Sequence, residues 1–270
     1  VYVCGIGSQA RLGRSAQSLP TFEPLRDFSD TASIVVAGSD HTIIVTENGA
    51  VYTFGSNRMA QLGYAIEEGL GVVASSSGTK RSGATSHPNQ HSLQCPVSDV
   101  SGVELDLQVK PRRVQGPLKR EVIVGAAASR LHSVAYTATA LYTWGTNNGQ
   151  LGYDRHSAPV QVQPRRVTVV SVPVRQVAAT EFATACLLET WDVMLLHGDA
   201  NYRVMFPSPR VTSDVGMFRP RQMQPKPCIR KLTCSGTTFA ALSDLGDLFT
   251  FHVEHSSTTG AKVVPPRPHL

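Results

Sequence analysis

A short phrase that combines an aromatic residue, a glycine and a leucine occurs three times in the chain. "LYTWGTNNGQLG" occupies residues 141–152, "VYTFGSNRMAQLG" occupies 51–63, and "VYVCGIGSQARLG" occupies 1–13. The phrase recurs with a period near 53 residues, interrupted once by about 35 extra residues. A chain of repeated units is constrained more by this period than by any other feature, because each unit must pack against copies of itself.

The repeat extends on both sides of this phrase. An alignment of the units gives spacings of 90, 53 and 54 residues and places together Phe54, Trp144, His197 and Phe251. Residues 35–55 align with 178–198 without a gap, and with 124–145 after a shift of one residue in the turn. It also places a polar side chain at one upstream position in all four units: His41, His132, Thr184 and Thr238. Downstream, "PRR" occurs at 111–113 and again at 164–166. Each unit therefore contains several short segments in a fixed order.

Within a unit, short runs of β-branched and aromatic residues alternate with turn residues. "HTIIVT" (41–46) and "VYTFG" (51–55) are separated by "ENG" (47–49), which is typical of antiparallel strands joined by a tight turn. No segment of ten or more residues shows a helical period. Four short strands in a unit of about 50 residues predict an all-β fold, a β-propeller with four antiparallel strands in each blade.

The sequence predicts about four and a half blades, an incomplete propeller. The approximate units are residues 1–32, 33–120, 121–172, 173–227 and 228–270, and a polar insertion at 64–108 interrupts the second unit. We expect the bulky residues of the phrase to lie between blades, its glycines to allow turns, and its leucines to enter the core. These structural repeat positions are Phe54, Gly55, Leu62, Gly63, Trp144, Gly145, Leu151, Gly152 and Phe251.

The quoted units resemble repeats of the regulator of chromosome condensation family, which forms seven-bladed propellers. The order of a first partial unit, a "VYTFGSN" unit with a long insertion, and two decayed units resembles more closely one group within it. That group is the inhibitor of Bruton tyrosine kinase and its fungal relatives, in which ankyrin repeats precede the propeller and BTB domains follow it. The resemblance implies a substrate adaptor of a cullin-family ubiquitin ligase. Because the first residue falls within a unit, we expect the chain to be a segment of a larger propeller.

Composition excludes several function classes. Apolar residues make up 41% of the chain, but no run of 18 apolar residues occurs, so we expect no membrane span. The five cysteines lack paired spacings, which predicts small buried side chains in an intracellular, cytoplasmic or nuclear protein and no zinc site. We expect no cofactor and no enzymatic activity, because no acid, base and nucleophile have spacings that would bring them together. The interpretation of His41 and His132 is structural.

Positive charge is concentrated in one part of the chain. Seven Lys or Arg residues and one acid lie between positions 203 and 231. This stretch departs most from the repeat, and we predict that it contacts a partner through Arg203, Arg210, Arg219, Arg221 and Lys226. The insertion contains a Ser/Gly/Thr-rich stretch at 74–92, for which we expect a polar disordered loop. A regulatory or docking role for that loop is the alternative.

The leading functional hypothesis is a non-enzymatic platform for protein partners. The alternative is guanine-nucleotide exchange on a Ran-like small GTPase, as in the protein that gives the family its name, or association with chromatin. Nucleic-acid binding is disfavoured because few aromatic residues are interleaved with the basic ones.

Overall fold

The computed structural model of the chain describes residues 1–15, 18–66, 106–207, 226–256 and 260–269. The central part of the predicted insertion and the candidate contact residues Arg210, Arg219 and Arg221 lie outside the described residues. The described residues form eighteen β-strands and two short 3-10 turns, Ser8–Ala10 and Gly116–Arg120.

All strands belong to antiparallel sheets whose strands follow chain order. The first sheet has two strands, β1 (Tyr2–Gly5) and β2 (Leu19–Pro24). The second has β3 (Ala32–Ala37), β4 (His41–Thr46), β5 (Val51–Ser56) and β6 (Leu107–Arg113). The third has β7 (Gly125–Ala128), β8 (His132–Tyr136), β9 (Leu141–Thr146) and β10 (Val160–Val167). The fourth has β11 (Val174–Ala179), β12 (Thr184–Leu188), β13 (Val193–His197) and β14 (Ala200–Val204). The fifth has β15 (Ile229–Ser235), β16 (Thr238–Ser243), β17 (Leu248–Ser256) and β18 (Gly260–His269).

The burial of each strand follows its place in the sheet. Every residue of β4, β8 and β12 is buried, because a neighbouring sheet packs on each face of these second strands. The fourth strands β6 and β10 are largely exposed. Pro111 and Pro164 lie where the register of these strands shifts against the third strand, and such bulged outer positions accept a residue that cannot donate to the ladder.

The apolar core lies between consecutive sheets. Trp144 of the third sheet packs in one cluster with Ile43 and Leu62 of the second. Leu196 of the fourth sheet packs with Val134 and Leu141 of the third. The first strands β3, β7, β11 and β15 contact one another in order. Four-stranded sheets that pack face to face in sequence order, with their first strands innermost, are blades of a propeller. The predicted fold class, an incomplete propeller of about four and a half blades, is confirmed.

One part of the predicted alignment is wrong. In the third and fifth sheets, Trp144 pairs with Ser133 and Phe251 pairs with Phe239. In the fourth sheet the residue at this register is Leu196, which pairs with Thr184; His197 lies one residue further on. Thr184 is therefore equivalent to Ser133, and not to His132 as the gap-free alignment predicts.

The reason for the error is a tight hairpin. His197 pairs with Ala200, so that Gly198 and Asp199 alone form the turn between β13 and β14, with φ of 59° and 65°. Two central residues with positive φ are typical of a type I′ turn, which joins strands without a longer loop. The glycine after His197 belongs to this turn, although in sequence it resembles the glycine after Trp144.

Candidate functional site

The repeated phrase builds the joints between blades. A hydroxyl on the second strand of one sheet donates to a backbone carbonyl in the loop of the preceding sheet. Thr42 Oγ1 donates to Arg11 O at 3.0 Å, Ser133 Oγ to Gln61 O at 2.7 Å, and Thr184 Oγ1 to Gln150 O at 2.9 Å. The three acceptors occupy the same place, directly before the leucine of the phrase. All three bonds connect neighbouring sheets in the same way.

Two buried histidines extend these joints. Because Ser133 gives its only proton to Gln61 O, the Nε2–H of His41 is the donor in the 2.7 Å bond to Ser133 Oγ. In the same way, His132 Nε2–H donates to Thr184 Oγ1 at 2.8 Å. Both imidazoles are fully buried, and burial lowers the pKa of His41 to about 4 and, with a smaller effect of His41, that of His132 to about 3. The two rings are therefore neutral donors at pH 7.

The second ring nitrogen differs between the two histidines. Ser129 Oγ lies 2.8 Å from His132 Nδ1, which can accept its proton. His41 Nδ1 is buried and has no hydrogen-bond partner among the described residues, because the position that corresponds to Ser129 is Gly38. No acid converges on either ring within the part of the chain that the structure describes. These contacts support a structural role for both histidines.

The glycines of the phrase allow the close approach of the next blade. A Cβ on Gly63 would lie 3.1 Å from Trp144 Nε1, and a Cβ on Gly152 would lie 3.1 Å from Leu196 Cδ1. Both glycines have positive φ, 86° and 84°. Trp144 Nε1 also donates to Gln61 O at 2.8 Å. Of the other repeat positions, Phe54, Leu62, Leu151 and Phe251 are buried, and Gly55 and Gly145 have positive φ.

The joint between the fourth and fifth sheets has a different chemistry. The type I′ turn at Gly198 replaces the loop that would supply an acceptor carbonyl, and the hydroxyl position of the fifth sheet holds Phe239. Phe239 stacks on Phe251 at 5.1 Å between ring centroids. Phe206 packs edge-on against Phe249 at 5.3 Å and against Phe251 at 6.0 Å. An aromatic cluster thus takes the place of the hydrogen-bonded joint.

The "PRR" segments also have a structural role that the sequence analysis missed. The guanidinium carbon of Arg112 lies 4.6 Å from the ring centroid of Tyr64, and that of Arg165 lies 4.4 Å from Tyr153. Each tyrosine directly follows "QLG". In the first sheet the equivalent positions hold an ion pair, Arg14 with Glu23 at 2.7 Å. The recurrence of "QLGY" with "PRR" is the signal that could have predicted this pair.

Only part of the predicted partner contact can be placed. Arg203 and Lys226 both pair with Asp192, the former at 2.7 Å. Partial burial alone would raise the pKa of Asp192, but hydrogen bonds from these two cations hold the pKa below its usual value. Arg203 pairs with Met194 in the register where Arg113 pairs with Tyr52, so it occupies an ordinary repeat position. The proposed contact through all five residues remains a prediction.

Beside this ion-pair cluster lies a second basic feature that the sequence analysis missed. Trp191 occupies the turn between β12 and β13 with φ of 64°. The guanidinium carbons of Arg175 and Arg230 lie 4.1 and 3.9 Å from the centroid of its indole ring. Both guanidinium groups therefore lie against the same indole ring. The three residues are distant in sequence, and no local pattern connects them.

Two further features lie at turns. The turns after the innermost strands surround a pocket of about 340 Å³ whose lining includes Ser39, Arg130, Glu181 and Gly236; the facing charges of Arg130 and Glu181 are 3.5 Å apart.

On another exposed surface, ligand atoms of Asp154, His156 and Asp199 lie within 4.8 Å of one another. Asp154 Oδ1 accepts the backbone N–H of His156, and Asp199 Oδ1 that of Arg155. Backbone donors thus already use these carboxylates.

The cysteine prediction is right in part. Cys186 is buried, Cys4 is exposed, and Cys228 and Cys234 are intermediate; these four carry free thiols, and Cys95 lies outside the described residues. Among the residues that the structure describes, no helix has the length and apolar character needed to cross a membrane.

Comparison with known proteins agrees with the geometry. The regulator of chromosome condensation (RCC1) repeat model matches residues 33–61. BTB/POZ domain-containing protein 1 of Schizosaccharomyces pombe is 29% identical over 94% of this chain, and the inhibitor of Bruton tyrosine kinase of Mus musculus is 32% identical over 73%. The chain spans 16% and 12% of the lengths of these relatives. Secretion-regulating guanine nucleotide exchange factor of Bos taurus is 30% identical over 66% of this chain and 43% of its own length.

Solved structures share the fold. Human WBSCR16 superimposes with a TM-score of 0.64 at 18% identity, over 93% of this chain and 56% of its own. Prp20p of Saccharomyces cerevisiae superimposes with a TM-score of 0.62 at 18% identity, over 100% of this chain and 58% of its own. The structure of Prp20p was described together with its binding to Gsp1p and histones. Residues 33–61 match a regulator of chromosome condensation repeat, and the chain is similar, over most of its length, to a segment of the inhibitor of Bruton tyrosine kinase and of the fission yeast BTB/POZ protein.

Proposed function

We propose that the chain is a protein-interaction platform, the propeller segment of a substrate adaptor for a cullin-family ubiquitin ligase. The observation that carries the proposal is the relationship, along 94% and 73% of the chain, to a BTB/POZ domain-containing protein and to the inhibitor of Bruton tyrosine kinase. In this proposal the propeller selects the substrate, and other segments of the full-length protein contact the ligase.

The structure supports a binding role in physical terms. Sheets locked by buried hydrogen bonds between Ser133 and Gln61, and between Thr184 and Gln150, form a stiff frame. The turns and outer strands of this frame carry exposed charges in fixed positions, among them Arg203 and Lys226 beside Asp192. Loops on a rigid scaffold are well suited to partner recognition.

Ubiquitination of captured partners tests this function. Partners of the tagged full-length protein would be identified by mass spectrometry, and their ubiquitination compared with and without the segment that corresponds to this chain. We expect at least one captured protein to lose both binding and ubiquitination when the segment is deleted while the cullin still co-purifies. Loss of capture without any change in ubiquitination would contradict the adaptor role, although not the platform.

Nucleotide exchange on a Ran-like small GTPase is the second candidate. It is favoured by the 30% identity to secretion-regulating guanine nucleotide exchange factor over 66% of the chain. Release of a fluorescent guanine nucleotide from purified GTPases separates the two. If the chain is only a binding platform, the GTPase should release its nucleotide at the spontaneous rate when the protein is added. Faster release with catalytic amounts of the protein would establish exchange activity.

A further inference from the structure

We propose that Arg175 and Arg230, both held against the indole ring of Trp191, bind an extended acidic segment of a protein partner. This inference rests on the proposed interaction function and adds the chemical class of the partner. The occupant is a peptide with acidic side chains two residues apart, and the contact is made at the turn between β12 and β13.

The two arginines are held in place but not neutralised. Their side chains are exposed, and neither makes a salt bridge or side-chain hydrogen bond among the described residues. Each guanidinium carbon lies over the indole ring, at 4.1 and 3.9 Å from its centroid, while the side chain as a whole stays exposed. A planar guanidinium group with free edges is suited to bidentate binding of a carboxylate.

The backbone around Trp191 is also fixed. The Trp191 carbonyl accepts the N–H of Ile229, adjacent to Arg230, at 3.3 Å. The carbonyl of Arg175 accepts the hydroxyl of Tyr136 at 2.8 Å. These bonds tie the backbone of Arg175, of Trp191 and of the residue before Arg230 to the sheets. Less entropy is therefore lost when a ligand binds.

The spacing of the two charges selects an extended acidic segment. The centroid distances place the two guanidinium carbons no more than about 8 Å apart. In an extended chain, side chains at positions i and i+2 project from the same face and lie roughly 6.5–7 Å apart. Asp or Glu residues that alternate with other residues would therefore supply one carboxylate to each guanidinium group.

The surroundings favour such a peptide over nucleic acid. Arg203, Lys226 and Lys231 add positive charge, but Asp192 and Glu189 interrupt it. Separated carboxylates therefore suit this surface better than a continuous phosphate backbone. Two guanidinium groups already lie against the indole of Trp191, so a base that stacks on this ring would compete with them.

Binding of labelled peptides to the purified chain tests the proposal. The probe is a short fluorescent peptide in which glutamate alternates with serine, and the comparison peptide has the same composition with all glutamates in one block. We expect the alternating peptide to bind severalfold more tightly and the affinity to fall with added salt. R175Q/R230Q should weaken binding about tenfold or more. W191G keeps both arginine charges and removes the ring that holds them, and glycine readily adopts the positive φ of position 191. This variant should weaken binding severalfold.

The matched control is K119Q/R120Q, which removes two exposed charges from the 3-10 turn after β6. This control should change the affinity less than twofold. Unchanged melting temperatures show that each variant is folded. Equal losses in the two double variants, no saturable binding, or displacement of the peptide by a single-stranded oligonucleotide at lower concentration would each overturn the proposal.

The same variants separate this inference from the proposed function. If full-length R175Q/R230Q keeps its captured partners and their ubiquitination, the acidic-peptide site is wrong while the platform stands. If the unmodified full-length protein captures no partner that depends on this segment, the platform itself fails.

Discussion

The Nε2–H of His132 donates a hydrogen bond of 2.8 Å to Oγ1 of Thr184, a residue of the next blade. Thr184 Oγ1 in turn donates a hydrogen bond to the carbonyl of Gln150, which lies in the loop of the blade that holds His132. A closed set of donors and acceptors therefore crosses the joint. Because every donor and acceptor in it is buried, loss of one member leaves the others without a partner.

Acid should weaken these joints. The pKa of His41 is about 4 and that of His132 about 3 in the folded chain, below the value near 6.5 of an unfolded histidine. Since the unfolded chain binds protons first, stability is complete above about pH 6.5 and is lost as the pH falls toward 4, on the order of 3 kcal/mol for a fully buried histidine. The urea midpoint measured from pH 7 to pH 4 tests this.

H41Q/H132Q is the informative variant for this pH dependence. Glutamine can keep an N–H donor but does not titrate, so the midpoint should vary less with pH than in the unmodified chain. H156Q, at an exposed histidine, should keep the original pH dependence. Identical curves for H41Q/H132Q and the unmodified chain would contradict the assigned role.

Truncation of Trp144 should be severely destabilising. W144A removes a fully buried side chain and its hydrogen bond to Gln61 O, with an expected loss of about 3–5 kcal/mol. W144F should lose less, because it keeps most of the apolar contact. Urea unfolding measures both, and a loss below about 1 kcal/mol for W144A would show that this position is not an interblade core position.

The corrected register of the fourth sheet has its own test. L196A should cost about 2–5 kcal/mol because Leu196 fills the place of Trp144. H197A removes the 2.6 Å contact between His197 Nδ1 and Phe182 O and should cost about 1–2 kcal/mol. If H197A proves the more damaging variant, the gap-free alignment is right and the corrected register is wrong.

The contact of Arg165 with Tyr153 should be measurable as a coupling. Stacking of a guanidinium group on a tyrosine contributes about 0.5–1 kcal/mol at an exposed site. A double-mutant cycle with R165Q and Y153L should return a coupling energy in that range. K119Q combined with Y153L is the matched control and should be additive. Additive losses in the first cycle would show that the two side chains act independently.

The fold could be predicted from the sequence because its signals are local. β-branched runs such as "HTIIVT" alternate with turn residues, and the period of the aromatic-glycine phrase reports the blade. The predicted alignment was wrong where a glycine has a different structural role from its counterparts in the other units. The glycine after His197 forms a two-residue hairpin turn, so matching it to the glycine after Trp144 shifted the fourth sheet by one residue.

The candidate contacts were harder to predict because they depend on distant residues. Nothing in the sequence around Trp191 indicates that Arg175 and Arg230, on two other strands, meet at its ring. The pairing of Arg203 and Lys226 with one aspartate was likewise not visible in a count of charges. The sequence gives the number of charges, whereas the positions of the strands and turns determine which of these charges form ion pairs.

Partner capture by a charge-reversed protein tests the proposal that the chain binds its partner through the basic stretch between positions 203 and 231. The variant is R210E/R219E/R221E, and Arg203 and Lys226 stay unchanged because both pair with Asp192. The measurement is the amount of each identified partner that the full-length protein retains, compared at equal melting temperature. We predict that retention falls while the melting temperature does not change. Undiminished retention of every partner would contradict it.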